Sequence, residues 1–155
     1  GPCTAKKQEF QREEVRPYVD SVITFEELQA LFDGFGLDIT SLPEDVLDNA
    51  SYFGRIFARS GGLSDAVAQS LKEQGLDDFD LKPLVCDGLD ECKKALQRAS
   101  RGRLTENFIE GMACTSGCIG GAGCLTHGAK SKSDVDKYGM EAYEKTILDA
   151  ISVLK

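Results

Sequence analysis

The feature that most constrains this chain is the stretch from Glu110 to Cys124, EGMACTSGCIGGAGC. It holds three cysteines and five glycines in fifteen residues, with no proline and no charge after Glu110. Glycine allows backbone conformations that other residues avoid and lets the backbone approach a bulky ligand closely. The composition therefore indicates a pliable loop that presents several thiols together.

Composition excludes several classes of protein. A chain of 155 residues fits one domain, from residue 1 to 155, and can bury a core. The net charge of −8 argues against nucleic acid as a partner, because phosphate binding needs a basic surface. No apolar run approaches the roughly 18 residues of a membrane helix. No signal peptide opens the chain, and its first two residues, Gly-Pro, are either the remnant of a cleaved tag or a native Gly-Pro. We expect a cytoplasmic protein without a membrane partner.

The N-terminal half reads as a strand followed by helices. The segment VDSVI, residues 19–23, predicts a short strand. The helix that follows begins with Thr24 as its N-cap and Glu27 three residues later, which is the pattern of a capping box. The segment RSGGLSDAVAQSLKEQG predicts a second helix, capped by Ser60 or Ser64.

The C-terminal half continues this alternation. The segment FDLKPLVC predicts a strand, which Pro83 assigns to an edge or an irregular start. A helix over GLDECKKALQRASRG ends at Gly102, and SDVDKYGMEAYEKTILDAISVLK predicts one long C-terminal helix. Strands alternating with helices predict an α/β domain with a small, mostly parallel sheet flanked by helices.

The cysteines favour metal or thiol chemistry over disulfides, because disulfide-dense domains are usually small and secreted. Cys114 and Cys118 would lie on one face of a helical turn, with their β-carbons roughly 5–6 Å apart. Two such thiolates suit either an iron–sulfur cubane or a single zinc ion, and the neighbouring glycines favour the bulkier ligand. The alternative is a glycine-rich loop with small buried cysteines. Cys86 and Cys92 are expected to be small core residues.

Three segments carry a resemblance to a known family. FIEGMACTSGCIGGAG resembles the last signature motif of the iron-only hydrogenases, Glu-x-Met-Ala-Cys-x-x-Gly-Cys followed by glycines. The opening PCTAKKQE is similar to their second motif, Pro-Cys-x-x-Lys-x-x-Glu. IFARSGGLSDAV resembles the Gly-Gly segment that lies between the two. The order is the same, and the resemblance runs from Cys3 to about Lys155, so the fold is expected to resemble the second lobe of the hydrogenase catalytic domain.

The resemblance implies an H-cluster, in which a 4Fe–4S cubane is joined through a cysteine sulfur to a two-iron unit bearing CO, cyanide and a dithiolate. Such enzymes reduce protons reversibly to hydrogen. By this resemblance Cys3, Cys114 and Cys118 would be three of the four cubane ligands, and Cys118 would also bridge to the two-iron unit.

The resemblance also implies roles for residues that hold no iron. Lys6 would contact a cyanide, because a buried anion needs a charged donor. Glu9 would belong to the proton route, and Met112 would pack beside the two-iron unit as a soft apolar wall. The backbone around Ala58 and the flexible Gly117 would line the pocket.

The sequence departs from the family pattern in two places. The first motif, Thr-Ser-Cys-Cys-Pro, which supplies the fourth ligand, is absent from it. We therefore expect the second lobe of a longer protein, inactive in isolation, whose partner is the N-terminal lobe. Thr115 and Ser116 replace the usual Pro-Gly or Gly-Gly, and GGAGCLTHG replaces Gly-Gly-Gly-Gln-Pro. Cys124 and His127 are thereby added as potential ligands, although a surface loop position is the simpler interpretation of His127.

Three functions follow from these patterns. The first is part of an iron-only hydrogenase, served by a ferredoxin or a flavoprotein as electron carrier. The second is a hydrogenase-like iron–sulfur protein, of a sensory or cluster-assembly type, without hydrogen turnover. Lys6 and Met112 favour the first, because both serve the two-iron unit. The third is a zinc-stapled regulatory module that uses Cys114, Cys118, Cys124 and His127.

Overall fold

The architecture was taken from a computed structural model, which describes residues 1–47 and 50–152. Its helices and strands, in chain order, are α1 (Lys6–Glu9), α2 (Phe25–Gly34), α3 (Tyr52–Arg55), α4 (Gly62–Glu73), β1 (Pro83–Asp87), α5 (Leu89–Ala99), β2 (Phe108–Met112), α6 (Lys130–Met140) and α7 (Ile147–Ser152). Single 3-10 turns cover Ile39–Ser41 and Cys118–Gly120. None of the described helices is both long and apolar enough to cross a membrane.

The sheet is a two-stranded parallel ladder. Strands β1 and β2 pair in a register that runs from Pro83 opposite Phe108 to Asp87 opposite Met112. Helix α5 connects the two strands and packs on both, as a parallel pair requires, because its strands need a long crossover. The predicted α/β class with a parallel sheet is confirmed, and β1 is an edge strand as Pro83 suggested.

The strand predicted over residues 19–23 is wrong. These residues form no ladder, and Ile23, whose side chain is exposed, uses its carbonyl to accept a hydrogen bond from the Gly1 amino group at 2.7 Å. The second strand is instead β2, which the pattern did not predict. The central inward position of β2 is occupied by Glu110, and a charged residue there hides the apolar alternation that marks a strand.

Helix α2 confirms its predicted start. The Thr24 hydroxyl oxygen accepts from Glu27 N at 3.3 Å, and a Glu27 carboxylate oxygen accepts from Thr24 N at 2.8 Å, so both halves of the capping box are present. The helix ends at Gly34, and Gly36 takes a left-handed conformation with φ of 65°. Local sequence alone was sufficient here because each interaction lies within one helical turn.

Helix α4 begins differently from the prediction. Its N-cap is Gly61, with a left-handed φ of 86°, and neither Ser60 nor Ser64 caps it. The free N–H groups of Gly61 and Ser64 instead donate to the carboxylate of Glu110 in β2. A residue 46 positions away in the chain replaces the local cap.

The predicted long C-terminal helix is broken into α6 and α7, and its last three predicted residues, 153–155, lie outside the described residues. The first two N–H groups of α7, those of Ile147 and Leu148, donate to the Glu73 carboxylate at 2.9 Å each. Glu73 lies at the end of α4, so this nonlocal cap stabilises a new helix start.

The Glu73 cap predicts a pH dependence. Burial by itself raises the pKa of Glu73, but hydrogen bonds from Ile147 N, Gln69 and Leu148 N outweigh it and hold the pKa below the ordinary value of 4.5. A lowered pKa stabilises the fold at pH values above that ordinary value, and this contribution is lost as the pH falls through the folded-state pKa.

Because the cap requires the charged carboxylate, we expect Glu73→Gln to destabilise the chain at pH 7 and to lose its effect in acid. Denaturant unfolding of both proteins, measured from pH 7 down to pH values below the folded-state pKa of Glu73, tests this prediction, with the exposed Glu13→Gln as control. An equal Glu73→Gln effect at every pH would contradict the cap.

Candidate metal centre

A small cavity lies between the opening segment of the chain and the cysteine loop. Its volume is about 90 Å³. It is lined by Pro2, Cys3, Met112, Ala113, Cys114, Gly117, Cys118 and Gly121. The structure thus brings all three predicted cysteine ligands, from opposite ends of the sequence, to one cavity together with the predicted Met112 and Gly117.

Backbone contacts hold the opening segment at this cavity. The Pro2 carbonyl accepts a hydrogen bond from Gly123 N at 2.9 Å. A Cβ at Gly121 would collide with the Pro2 carbonyl oxygen, and a Cβ at Gly123 would lie 2.9 Å from the Thr24 methyl group and 3.1 Å from the Pro2 carbonyl. The glycines of the loop therefore serve close backbone approach, which fixes Cys3 immediately after Pro2.

The cysteine loop is a turn and not the helical turn that the spacing suggested. Gly117 N donates to the Cys114 carbonyl at 3.0 Å. Ser116 and Gly117 both have positive φ, of 70° and 79°. Cys118 then opens a 3-10 turn, so the two cysteines flank two residues with positive φ and do not share the face of a regular helix.

The segment before α4, residues 58–61, supports this turn from behind. The Ala58 carbonyl accepts from Ile119 N at 3.2 Å, and Ser60 N donates to the Ser116 carbonyl at 3.3 Å. A Cβ at Gly117 would lie only 2.7 Å from Ser60 N, so no larger residue fits. Ala58 therefore contacts the loop through its backbone, and it also lines a neighbouring cavity of about 420 Å³.

Arg59 anchors the same supporting segment. Its side chain is buried and pairs with Asp65 of α4 at 2.9 Å and with Asp136 of α6 at 2.5 Å. Burial alone lowers the pKa of Arg59, but the hydrogen bonds to Asp136 and Asp65 outweigh it and leave the pKa above its ordinary value. Because the buried guanidinium group of Arg59 is paired with one carboxylate from α4 and one from α6, it connects residues 58–61 to both helices.

Glu110 is a site residue that sequence reasoning quoted but gave no role. It is fully buried, and its two carboxylate oxygens accept from Gly61 N at 2.8 Å, Ser64 N at 2.8 Å and the Ser64 hydroxyl at 2.6 Å. Glu110 thus joins the strand that leads into the cysteine loop to the Gly-Gly segment. The sequence did contain one signal for this role, because Glu110 is the single charged residue in the otherwise uncharged segment FIEGMAC.

Lys6 and Glu9 form an exposed ion pair near the cavity. The Lys6 Nζ lies 2.5 Å from a Glu9 carboxylate oxygen. The hydrogen bond to Glu9 raises the pKa of Lys6, burial opposes this increase, and the negative charge of Glu9 adds to it. The hydrogen bond from Lys6 lowers the pKa of Glu9. Neither Lys6 nor Glu9 belongs to the lining of the cavity, so the structure brings the three cysteines, Met112 and Gly117 together there but not this ion pair.

The additional loop residues contact backbone carbonyls. Cys124 Sγ lies 3.3 Å from the Ile119 carbonyl, and the His127 Nε2 lies 2.9 Å from the Gly121 carbonyl on an exposed side chain. Across residues 1–47 and 50–152, no three His, Cys, Asp or Glu side chains are arranged to hold a single ion.

The two cysteines outside the loop have structural environments. Cys86 in β1 is buried with 2% of its surface exposed, and burial raises the pKa of its thiol, so the prediction of a core residue is confirmed for it. Cys92 in α5 is half-buried, with its Sγ 3.6 Å from the Met112 carbonyl.

Fold and cavity together define a small α/β protein with a thiol-lined candidate metal centre. Residues 1–122 match the family described as the iron only hydrogenase large subunit, C-terminal domain, and the chain belongs to this family.

Curated relatives include both hydrogenases and assembly factors. The chain is 31% identical to the NADP-reducing hydrogenase subunit HndD of Solidesulfovibrio fructosivorans, over 81% of this chain and 27% of the relative. It is 29% identical to the periplasmic Fe hydrogenase large subunit of Nitratidesulfovibrio vulgaris, over 79% and 37%. It is 27% identical to a probable cytosolic Fe–S cluster assembly factor of Anopheles gambiae, over 77% and 34%. The chain thus spans only about a third of the length of these relatives.

The importance of Glu110 can be measured directly. Glu110→Gln would place an amide NH₂ group against at least one of the three donors, so we expect a loss of about 3 kcal/mol in the free energy of unfolding. Denaturant titration measures this loss, with the exposed Glu13→Gln as the matched control. A change as small as that of the control would show that the buried contact does not organise the fold.

The Cys118 side chain should contribute little to the stability of the fold, because Cys118 is exposed. We expect Cys118→Ser to change the free energy of unfolding of the metal-free chain by less than about 0.5 kcal/mol. The buried Cys86→Ser is the contrasting control, with an expected loss of about 1–3 kcal/mol. A large drop in melting temperature for Cys118→Ser would identify a structural thiol instead.

Proposed function

We propose that this chain is the second lobe of a hydrogenase-type catalytic domain and provides three thiolate ligands, Cys3, Cys114 and Cys118, to the cubane part of an H-cluster. The observation that carries this proposal is the meeting of these three residues on one cavity wall. The N-terminal lobe of the same protein would supply the fourth ligand and close the site. In isolation the chain would not turn over hydrogen.

The chemistry of the donor set supports an iron–sulfur centre. Thiolates are soft ligands that hold such clusters, and the cavity offers three of them beside glycine backbone. When bound, the centre would supply electron transfer and the two-iron site at which protons are reduced to hydrogen. By the family resemblance, Cys118 would be the ligand shared by the two parts of this centre.

The charged residues near the cavity have distinct proposed tasks. Lys6, three residues after Cys3 in the chain, would direct its positive charge towards an anionic centre. Glu9 is hydrogen-bonded to Lys6 and partly exposed, so its carboxylate could exchange a proton with water and pass it towards the cavity. Met112 on the cavity wall would exclude water through its apolar side chain.

The electron carrier is a further proposal. A ferredoxin or a flavoprotein would deliver electrons to the complete domain, which we place in the cytoplasm. The chain has a net charge of −8 and would not attract an acidic ferredoxin by itself, so the N-terminal lobe is the better candidate for docking.

A second candidate function is a hydrogenase-like iron–sulfur protein without hydrogen turnover. Two observations favour it: the 27% identity to a probable Fe–S cluster assembly factor, and the replacement of the usual Pro-Gly or Gly-Gly by Thr115 and Ser116. Lys6 and Met112 favour the hydrogenase, because their proposed roles concern the two-iron unit.

Cluster reconstitution tests the feature that both candidate functions share, which is an iron–sulfur cluster held by Cys3, Cys114 and Cys118. The chain is incubated with ferrous iron and sulfide without oxygen, and the cluster is followed by visible absorption, iron and sulfide content, and electron paramagnetic resonance (EPR) of the reduced sample. We expect Cys3→Ser, Cys114→Ser and Cys118→Ser each to lose most of the cluster, because each removes a ligand. Cys92→Ser, outside the cavity lining, is the control and should retain it. Equal iron in the triple serine variant and the wild type, or zinc without iron, would reject the proposal.

The two candidates are separated in a protein extended through the first family motif and loaded with a synthetic diiron complex. Infrared bands of bound CO and cyanide, with hydrogen detected by gas chromatography, support the hydrogenase. A cubane spectrum with neither supports the second function.

A further inference from the structure

Asp87, at the end of β1, connects the two segments that build the site. Its Oδ1 accepts from Ser116 N at 2.6 Å and from the Ser60 hydroxyl at 2.7 Å. The strand ladder and a hydrogen bond from Gly88 N to the Met112 carbonyl, at 2.8 Å, hold its backbone beside β2. This carboxylate is therefore mounted on the sheet and directed at the turn between Cys114 and Cys118.

The turn that Asp87 supports is conformationally costly. Ser116, with φ of 70°, is the non-glycine residue with a left-handed backbone in the described part of the chain. An L-residue avoids this region unless its surroundings hold it there. Here Ser116 N donates to Asp87 and the Ser116 carbonyl accepts from Ser60 N at 3.3 Å, so both sides of the residue are fixed.

The orientation of the two cysteines depends on this residue. Ser116 lies midway between Cys114 and Cys118, and rotation about its backbone would redirect the second cysteine relative to the first. The adjoining Gly117 cannot compensate freely, because it packs against Ser60 N and the Ala58 carbonyl. The backbone at Ser116 is thus the point at which the geometry of the two thiols is set.

We propose that Asp87 is a positioning residue for the metal centre, which orients the Cys114 and Cys118 thiols by holding Ser116 in its left-handed conformation. It acts through the backbone of Ser116 and is not itself a ligand. This role rests on the proposed function of the two cysteines, although the effect of Asp87 on the turn does not require a metal.

The first experiment uses the metal-free full chain. Amide hydrogen exchange is measured by mass spectrometry in the peptide that contains Ser116. We expect Asp87→Ala to accelerate exchange there about tenfold, because a hydrogen bond to a carboxylate is lost. Asp87→Asn retains an acceptor and should stay within about threefold of the wild type. Ser60→Ala removes only the other donor and serves as the matched control.

Two results would overturn the proposal at this stage. One is unchanged exchange in Asp87→Ala, and the other is acceleration by Ser60→Ala as large as that by Asp87→Ala. Circular dichroism establishes that each variant is folded. If Asp87→Ala does not fold, Asp87→Ser takes its place, because a serine side chain is polar but too short to reach Ser116 N.

The second experiment links the turn to the metal. After incubation with ferrous iron and sulfide, we expect Asp87→Ala to bind the cluster about tenfold more weakly and to change its EPR signature, as for residues that orient ligands. Adding Ser116→Gly should restore part of this binding, because glycine adopts the left-handed backbone without cost. A double variant no better than Asp87→Ala would overturn the positioning role. Failure of the wild type itself to take up a cluster would reject the proposed function, while the exchange experiment would still decide the role of Asp87 in the turn.

Discussion

The buried carboxylate of Glu110 is the interaction on which the rest of this structure depends. A carboxylate without water must be matched by donors, and Glu110 finds three at the start of α4. The positive end of the helix dipole adds to this match. Because Glu110 lies four residues before Cys114 and its partners adjoin the segment behind the cysteine loop, one contact aligns both sides of the candidate metal centre.

The scaffold and the thiols have separate tasks. The Ala58 and Pro2 carbonyls accept hydrogen bonds from the loop, and Ser60 N donates one to it. Glycine is required at Gly117 and Gly121 because these partners approach too closely for a side chain. Cys3 is half-buried and Cys118 is exposed, so the backbone contacts that hold the loop leave both thiols accessible. This arrangement suits a protein that must present reactive groups without using them to maintain its fold.

Local patterns predicted the elements whose signal lies within their own segment. Helix α2 has its capping box within one turn, and β1 and α5 follow the apolar pattern of their own segments. The failures involve distant partners. Residues 19–23 had the composition of a strand but no neighbour to pair with, and β2 was missed because its inward residue is Glu110. The long C-terminal helix was predicted as continuous because nothing nearby in sequence shows that Glu73 caps a new start at Ile147.

By itself, the sequence determined the family, the α/β class and the kinds of atoms available to a metal, since these depend on residue identity and order along the chain. The family resemblance implied that Cys3, Cys114 and Cys118 would meet. Only the tertiary structure decided the shape of the cavity that they line, the positive φ of Ser116 in the turn between the last two, and the support of that turn by Asp87 and Glu110 from neighbouring strands. The physical reason is that these contacts join residues tens of positions apart, so their geometry depends on how strands and helices pack and leaves no periodic trace in the sequence.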